Sequence, residues 1–134
     1  MSARQPFVLP PPHWPVISVG RDRSLLAARE ASLDDAGFSV RSLKPEQAEP
    51  FAHDGKRRVW IFCGSVEMAS LVYLSCCIRR HSPESRLLLL ERRLSSGAER
   101  CLFHQVLHSG ADGDALVAAI QELAGPSQTA PMQP

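Results

Sequence analysis

The chain has 134 residues, of which 44% are hydrophobic and 22% are charged, and its formal net charge is +1. This length is enough for one domain with a substantial core, and the near-neutral charge gives no overall attraction to nucleic acid or to a membrane surface. No apolar run approaches the roughly 20 residues that span a bilayer, and no signal-peptide core is present, so we expect a cytoplasmic protein.

The two ends of the chain differ in composition from the segment between them. Residues 1–15 contain five prolines, and such a density fixes the backbone and removes hydrogen-bond donors, which favours a flexible arm. Residues 126–134 follow a Gly-Pro pair and are expected to form a loose tail. The folded domain is therefore expected to cover residues 16–125.

Short apolar runs alternate with helical patterns five times along this domain. The clearest run, residues 59–63, is rich in β-branched and aromatic side chains, as is typical of a strand that is buried on both faces. Such alternation predicts a parallel sheet with helices on both faces. Five strands in about 110 residues fit a flavodoxin-like, three-layer α/β/α fold with strand order 2-1-3-4-5. The predicted strands are residues 16–19, 38–43, 59–63, 86–90 and 102–107.

The helices are predicted from capping residues and apolar stripes. Asp22 or Ser24 can cap the first helix, Pro45 opens a brief second helix that Pro50 interrupts, and Ser65 can cap the third. Both sides of the third helix are apolar, so we expect it to lie deep in the fold or to contribute to a partner surface. Its first stripe contains Val66, Ala69, Val72, Tyr73 and Cys76, and Leu71, Leu74 and Ile78 widen it. The last helix is expected to start at Asp112 or Asp114 and to turn Leu116, Ile120 and Leu123 inward.

The four cysteines do not have the paired spacing of a zinc site, because Cys76 and Cys77 are adjacent and point in different directions on a helix. We expect reduced, mostly buried thiols. The sequence therefore predicts no metal and no cofactor.

Two local motifs carry a resemblance to a known family. Residues 35–40 read Asp-Ala-Gly-Phe-Ser-Val, which resembles the turn into the second strand of response-regulator receiver domains. Residues 79–83 resemble the basic end of the third helix of these domains. With the order of the elements, these motifs make residues 15–125 similar to a receiver domain of two-component signalling.

In that family, acidic residues after strand one and an aspartate after strand three hold Mg²⁺, which prefers oxygen ligands, and that aspartate accepts a phosphoryl group. A hydroxyl residue after strand four and a lysine after strand five complete the site. The corresponding residues here are Gly20, Arg21, Cys63, Glu91 and Ser109. The resemblance therefore implies a degenerate receiver without metal binding or enzymatic activity. In such a site Arg21 could pair with Glu91 instead.

The resemblance also implies how such a domain would act. A stand-alone degenerate receiver would signal by phosphorylation-independent contact with a separate kinase or output protein, without nucleic acid or membrane. Receivers often use their fourth helix, fifth strand and fifth helix for such contacts. The candidate contact residues here are Arg92, Arg93, His104, Gln105 and His108. A homodimer through the last helix is a further expectation.

Cys63 supports an alternative function. A thiol at the carboxyl end of a central strand could make this a small α/β redox or anionic-ligand sensor. A Cys63–His108 nucleophilic pair is a third hypothesis, which lacks an orienting residue in the sequence. Native thiol reactivity distinguishes the sensor from the signalling hypothesis.

Overall fold

A computed structural model describes residues 14–91, 102–108 and 113–124, without the side chains of Glu91 and His108. Its five strands form one parallel sheet in the order β2-β1-β3-β4-β5. The predicted fold class and strand order are therefore confirmed. The elements are β1 (Val16–Val19), α1 (Arg23–Asp35), β2 (Val40–Leu43), α2 (Pro45–Ala52), β3 (Val59–Phe62), α3 (Met68–His81), β4 (Arg86–Glu91), β5 (Gln105–His108) and α4 (Gly113–Ala124).

Strand β3 lies between β1 and β4 and is buried on both faces, as predicted. Its alternate side chains enter two separate cores because successive residues of a strand point to opposite faces. Val59 and Ile61 pack on the side of α1 and α4, whereas Trp60 and Phe62 pack on the side of α2 and α3. The Trp60 and Phe62 rings stack, with centroids 6.0 Å apart.

The first helix begins and ends where the sequence predicts. The Asp22 carboxylate accepts a hydrogen bond from the amide of Leu25 at 3.2 Å and so caps α1. Gly37 follows the helix with a φ of 97°, a left-handed conformation that glycine adopts without a Cβ penalty.

Trp14 and Pro15, which we assigned to the N-terminal arm, contact the domain. Trp14 is half-buried against the α1 and α4 core, and the guanidinium of Arg57 lies 4.4 Å from its ring centroid. The Pro15 carbonyl accepts a hydrogen bond from the amide of Val59 at 3.0 Å. The remainder of the arm and the tail after residue 124 lie outside the described residues.

Four local predictions need correction. The second strand begins at Val40, two residues later than predicted. Helix α2 runs through Pro50, because so short a helix loses little from one missing amide donor. The fifth strand begins at Gln105, whereas residue 102 lies in a turn. Ser65 does not cap α3, since the helix begins at Met68 and the Ser65 hydroxyl accepts from the amide of Arg21 at 3.0 Å.

Helix α3 packs inward with the residues that we expected only to widen its main apolar stripe. Its buried residues are Leu71, Leu74, Ser75 and Ile78. Val72, Tyr73 and Cys76, which we placed on the main apolar stripe, are exposed. Among the described helices, none combines the length and the hydropathy that crossing a membrane requires.

Candidate functional site

The carboxyl edge of the sheet brings together the residues that follow β1 and β3. The Cys63 amide donates to the Val19 carbonyl at 2.9 Å, and the Gly20 amide donates to the Leu43 carbonyl at 3.1 Å. These bonds continue the parallel ladder by one residue beyond the strands. Gly20 and Cys63 therefore occupy fixed, adjacent positions at the place where open α/β sheets usually bind their ligands.

The Cys63 side chain packs directly against the backbone of Gly20. A Cβ atom added to Gly20 would lie 2.9 Å from Cys63 Sγ and 3.0 Å from Cys63 Cβ, with Leu26 Cδ2 at 3.4 Å. Both residues are buried, and Cys63 is only 4% exposed. The thiol thus occupies the volume that any side chain at position 20 would need.

The Cys63 thiol contacts a cation from α1. Arg29 Nη1 lies 2.8 Å from Cys63 Sγ, across a sequence separation of 34 residues. Burial raises the pKa of the Cys63 thiol because it disfavours the charged thiolate, although the Arg29 charge opposes this shift. The net effect keeps the thiol protonated, so the site holds a neutral sulfur beside a guanidinium.

Ser18 lies beneath this pair in β1. Its side chain is fully buried, and its hydroxyl forms no well-defined hydrogen bond within the described part of the chain. The hydroxyl nevertheless lowers the pKa of the Cys63 thiol, against the larger effect of burial. Sulfur is a poor acceptor, so it satisfies the Ser18 hydroxyl incompletely.

Arg21 joins three elements at the outer rim of the site. Its Nε and Nη2 atoms contact the two carboxylate oxygens of Glu67 at 2.9 Å each, and its Nη2 and Nη1 contact those of Glu46 at 3.0 and 3.3 Å. Hydrogen bonds from the guanidinium lower the pKa of both carboxyl groups, and the pKa of Arg21 itself is raised. The expected partner of Arg21 was Glu91, whereas its described partners come from α2 and from the start of α3.

The remaining predicted site positions are only partly described. Glu91 ends β4 opposite His108, which ends β5, so both backbones reach the same edge of the sheet as Cys63. Ser109, Arg92 and Arg93 lie outside the described residues.

Two of the predicted contact residues, His104 and Gln105, lie at the start of β5. Gln105 is half-buried. The His104 amide donates to the Leu87 carbonyl at 2.8 Å, and the Leu87 amide donates to His104 Nδ1 at 3.0 Å. The imidazole thus takes the place of a backbone acceptor in the ladder. Burial, with the nearby charges of Arg79 and Arg86, lowers the pKa of His104.

No group of three or more His, Cys, Asp or Glu side chains within the described ranges could hold a metal ion. Of the residues around Cys63, Gly20 offers no ligand atom and Arg29 is cationic, whereas Mg²⁺ requires oxygen ligands. The described residues around Cys63 therefore do not fit the magnesium site that receiver domains have.

Sequence reasoning did not identify Arg29, Glu46 and Glu67 as site residues. One signal was available for Arg29. It is the charged member of the helical stripe of the first helix, which otherwise consists of Leu25, Leu26, Ala28, Leu33 and Ala36, and a charge on a buried face requires a partner. The two glutamates gave no such signal, since their meeting with Arg21 depends on the spatial arrangement of α2 and α3.

Solved structures with the same fold include response-regulator receivers. The chain is similar to the chemotaxis response regulator CheY4 of Vibrio cholerae, with 18% identity over 84% of this chain and 99% of that chain and a TM-score of 0.72. It is also similar to a CheY-like receiver domain protein of Methanospirillum hungatei, with 12% identity, coverage of 83% and 93%, and a TM-score of 0.71.

A third similar structure is the BeF3-activated DrrB receiver domain, with 16% identity, coverage of 83% and 97%, and a TM-score of 0.67. No protein-family model matches the sequence, and neither does any curated protein. At these identities the likeness establishes a receiver-like fold.

The packing of Gly20 against Cys63 predicts a coupled stability effect. Gly20→Ala should lower the free energy of unfolding by about 1–3 kcal/mol, because the new methyl group overlaps the thiol. In a Cys63→Ala background the same substitution should be less destabilising, since the sulfur at 2.9 Å is removed. Urea unfolding of the four proteins measures this coupling. Equal losses in both backgrounds would contradict it.

The hydrogen bond to His104 Nδ1 predicts a pH-dependent stability. The native pKa of His104 is lowered, so between the native and the unfolded value, about 6.5, the unfolded state binds more protons. This contribution to stability is complete above the unfolded pKa and is lost as the pH falls toward the native value. His104→Gln retains an acceptor but does not titrate, so its unfolding free energy should vary less between about pH 7 and pH 5. Identical pH profiles for the two proteins would contradict this role.

Proposed function

We propose that the chain is a receiver-like signalling domain that acts through protein–protein contact without aspartyl phosphorylation and without enzymatic activity. The fold supports the receiver-like part of this proposal. The observation that carries the rest is the packing of Cys63 into the space beside Gly20. A thiol that fills this space cannot form the acyl phosphate of a receiver, and it leaves no volume for a metal-binding carboxylate at position 20.

The charges around the site support the same conclusion. Activation by phosphorylation requires a cation and an acceptor carboxylate close to each other. In this chain Arg21 binds Glu46 and Glu67, and Arg29 contacts the Cys63 thiol. The guanidinium of Arg29 therefore lies beside the sulfur, where a receiver has a carboxylate, and its positive charge disfavours the binding of Mg²⁺.

The partner under this proposal is a separate signalling protein, either a kinase or an output protein. Of the contact residues expected from the sequence, His104 is an exposed residue, although its Nδ1 accepts a hydrogen bond from the Leu87 amide of β4. Arg92 and Arg93 remain candidates on the basis of sequence alone. Charge reversal at both arginines, with capture of partners from the native host, tests their involvement.

A phosphoryl donor provides the direct test of the proposal. Amide NMR spectra of the chain should not change when Mg²⁺ with acetyl phosphate or beryllofluoride is added. Cys63→Asp restores an acceptor without restoring the acidic residue at position 20, so it should also remain unresponsive. The DrrB receiver domain, whose structure is of a BeF3-activated form, serves as the positive control. A saturable shift around Cys63 in the wild-type chain would refute phosphorylation independence.

The alternative function, a redox or anionic-ligand sensor centred on Cys63, draws support from one contact. Arg29 at 2.8 Å would stabilise a thiolate or an oxidised, anionic sulfur. Burial acts in the opposite direction, since it raises the pKa of the thiol and restricts the approach of an oxidant. We therefore favour the signalling function.

Thiol reactivity distinguishes the two functions within one molecule. Cys63 is buried and Cys76 is exposed, so iodoacetamide should modify Cys76 at least about tenfold faster than Cys63 in the native protein. Peptide mass spectrometry over time measures both rates in the same sample, and urea should make the rates similar. Native modification of Cys63 at a rate above that of Cys76 would favour the sensor.

A further inference from the structure

Helix α3 carries an unusual outward surface. Four large hydrophobic side chains are exposed in the described part of the chain, and three of them, Met68, Val72 and Tyr73, belong to α3. Ala69 and Cys76 are also exposed. The spacing of these five residues places them on one side of a helix, opposite its buried stripe. We call this surface the α3 outer face.

The two ends of the α3 outer face have opposite charge. Near the first turns of the helix, the carboxylates of Glu46, Glu49 and Glu67 outnumber the cationic side chains of Arg21 and Lys44, which leaves a net negative corner. The last turn of the helix carries Arg79 and Arg80. The helix dipole has the reverse sense, so at both ends the side-chain charge is opposite to the partial charge of the backbone.

We propose that two copies of this chain associate through the α3 outer face, with the two helices antiparallel. In this arrangement the basic end of each helix meets the acidic corner of its partner, and Val72 of each copy faces Cys76 of the other. Ala69 and Cys76 are small, which allows the helix axes to approach to about 8–10 Å.

A second copy fits this surface because the surface is self-complementary. A two-fold interface requires that the same patch match itself after rotation, and an apolar centre between opposite charges meets this requirement. The last helix, through which we expected a homodimer, offers no comparable surface among its described residues. Its exposed positions are Asp114, Ala118, Gln121 and Glu122. The proposal does not use the Cys63 site, and the thiol-reactivity comparison, which takes Cys76 as its exposed reference, is made at a dilution where the chain is monomeric. The two proposals can therefore fail separately.

Sedimentation equilibrium of the full chain tests the association. The wild-type chain should show a reversible monomer–dimer equilibrium below millimolar concentration. Val72→Glu should raise the dissociation constant at least about tenfold, because it buries a charge at the centre of the interface. Leu25→Glu is the matched control, since Leu25 is 42% exposed on α1, and it should leave the constant unchanged. Circular dichroism verifies that both variants are folded.

Disulfide trapping tests the antiparallel arrangement. Under mild oxidation, Val72→Cys should form a covalent dimer through Cys76 of the second copy, because the proposed register brings these positions within bonding range. The double variant Val72→Cys/Cys76→Ser should lose this product, and Leu25→Cys should not form it. A wild-type chain that stays monomeric to millimolar concentration would overturn the proposal. Equal weakening by Val72→Glu and Leu25→Glu, or trapping that does not depend on Cys76, would do so as well.

Discussion

The burial of β3 on both faces is the constraint on which the rest of the structure depends. Val59, Trp60, Ile61 and Phe62 are each at most 1% exposed, and a side chain of this kind stabilises the fold by about 1.5–3 kcal/mol when it is fully buried. Because the strand is held by two cores and two neighbouring strands, the residue that follows it has little freedom. The position of Cys63 is therefore set by the core, and no ligand is needed to maintain it.

At the rim of the site, a side-chain cation brings two carboxylates together. In a Mg²⁺ or Ca²⁺ site, the metal ion draws carboxylates from different elements together. In this chain the guanidinium of Arg21 does so, since it joins Glu46 of α2 to Glu67 at the start of α3. These groups are exposed, and ion pairs in water contribute little to stability. Their main effect is local, because they hold the loop after β1 against α2 and the start of α3.

Much of the fold could be predicted from the sequence, because the burial of each strand appears in its residue types. The unbroken apolar run at residues 59–63 identified the central strand, and Asp22 and Gly37 marked the limits of α1. The inward face of α3 could not be predicted, since both sides of this helix are apolar and only the packing against the sheet distinguishes them.

The candidate site could be predicted only in part. Parallel order alone places Gly20 and Cys63 at one edge of the sheet, whereas their mutual packing depends on atomic distances. The partners of Arg21 depend on loop geometry in the same way.

The short connection from Cys63 to Glu67 links the site to helix α3. Ser65 and Glu67 in this connection are both bonded to Arg21, and the Val66 amide donates to the Cys63 carbonyl at 3.1 Å. The filled site and the start of α3 are thus joined by one well-anchored loop, so a molecule that binds the α3 outer face contacts a helix that is directly connected to the site.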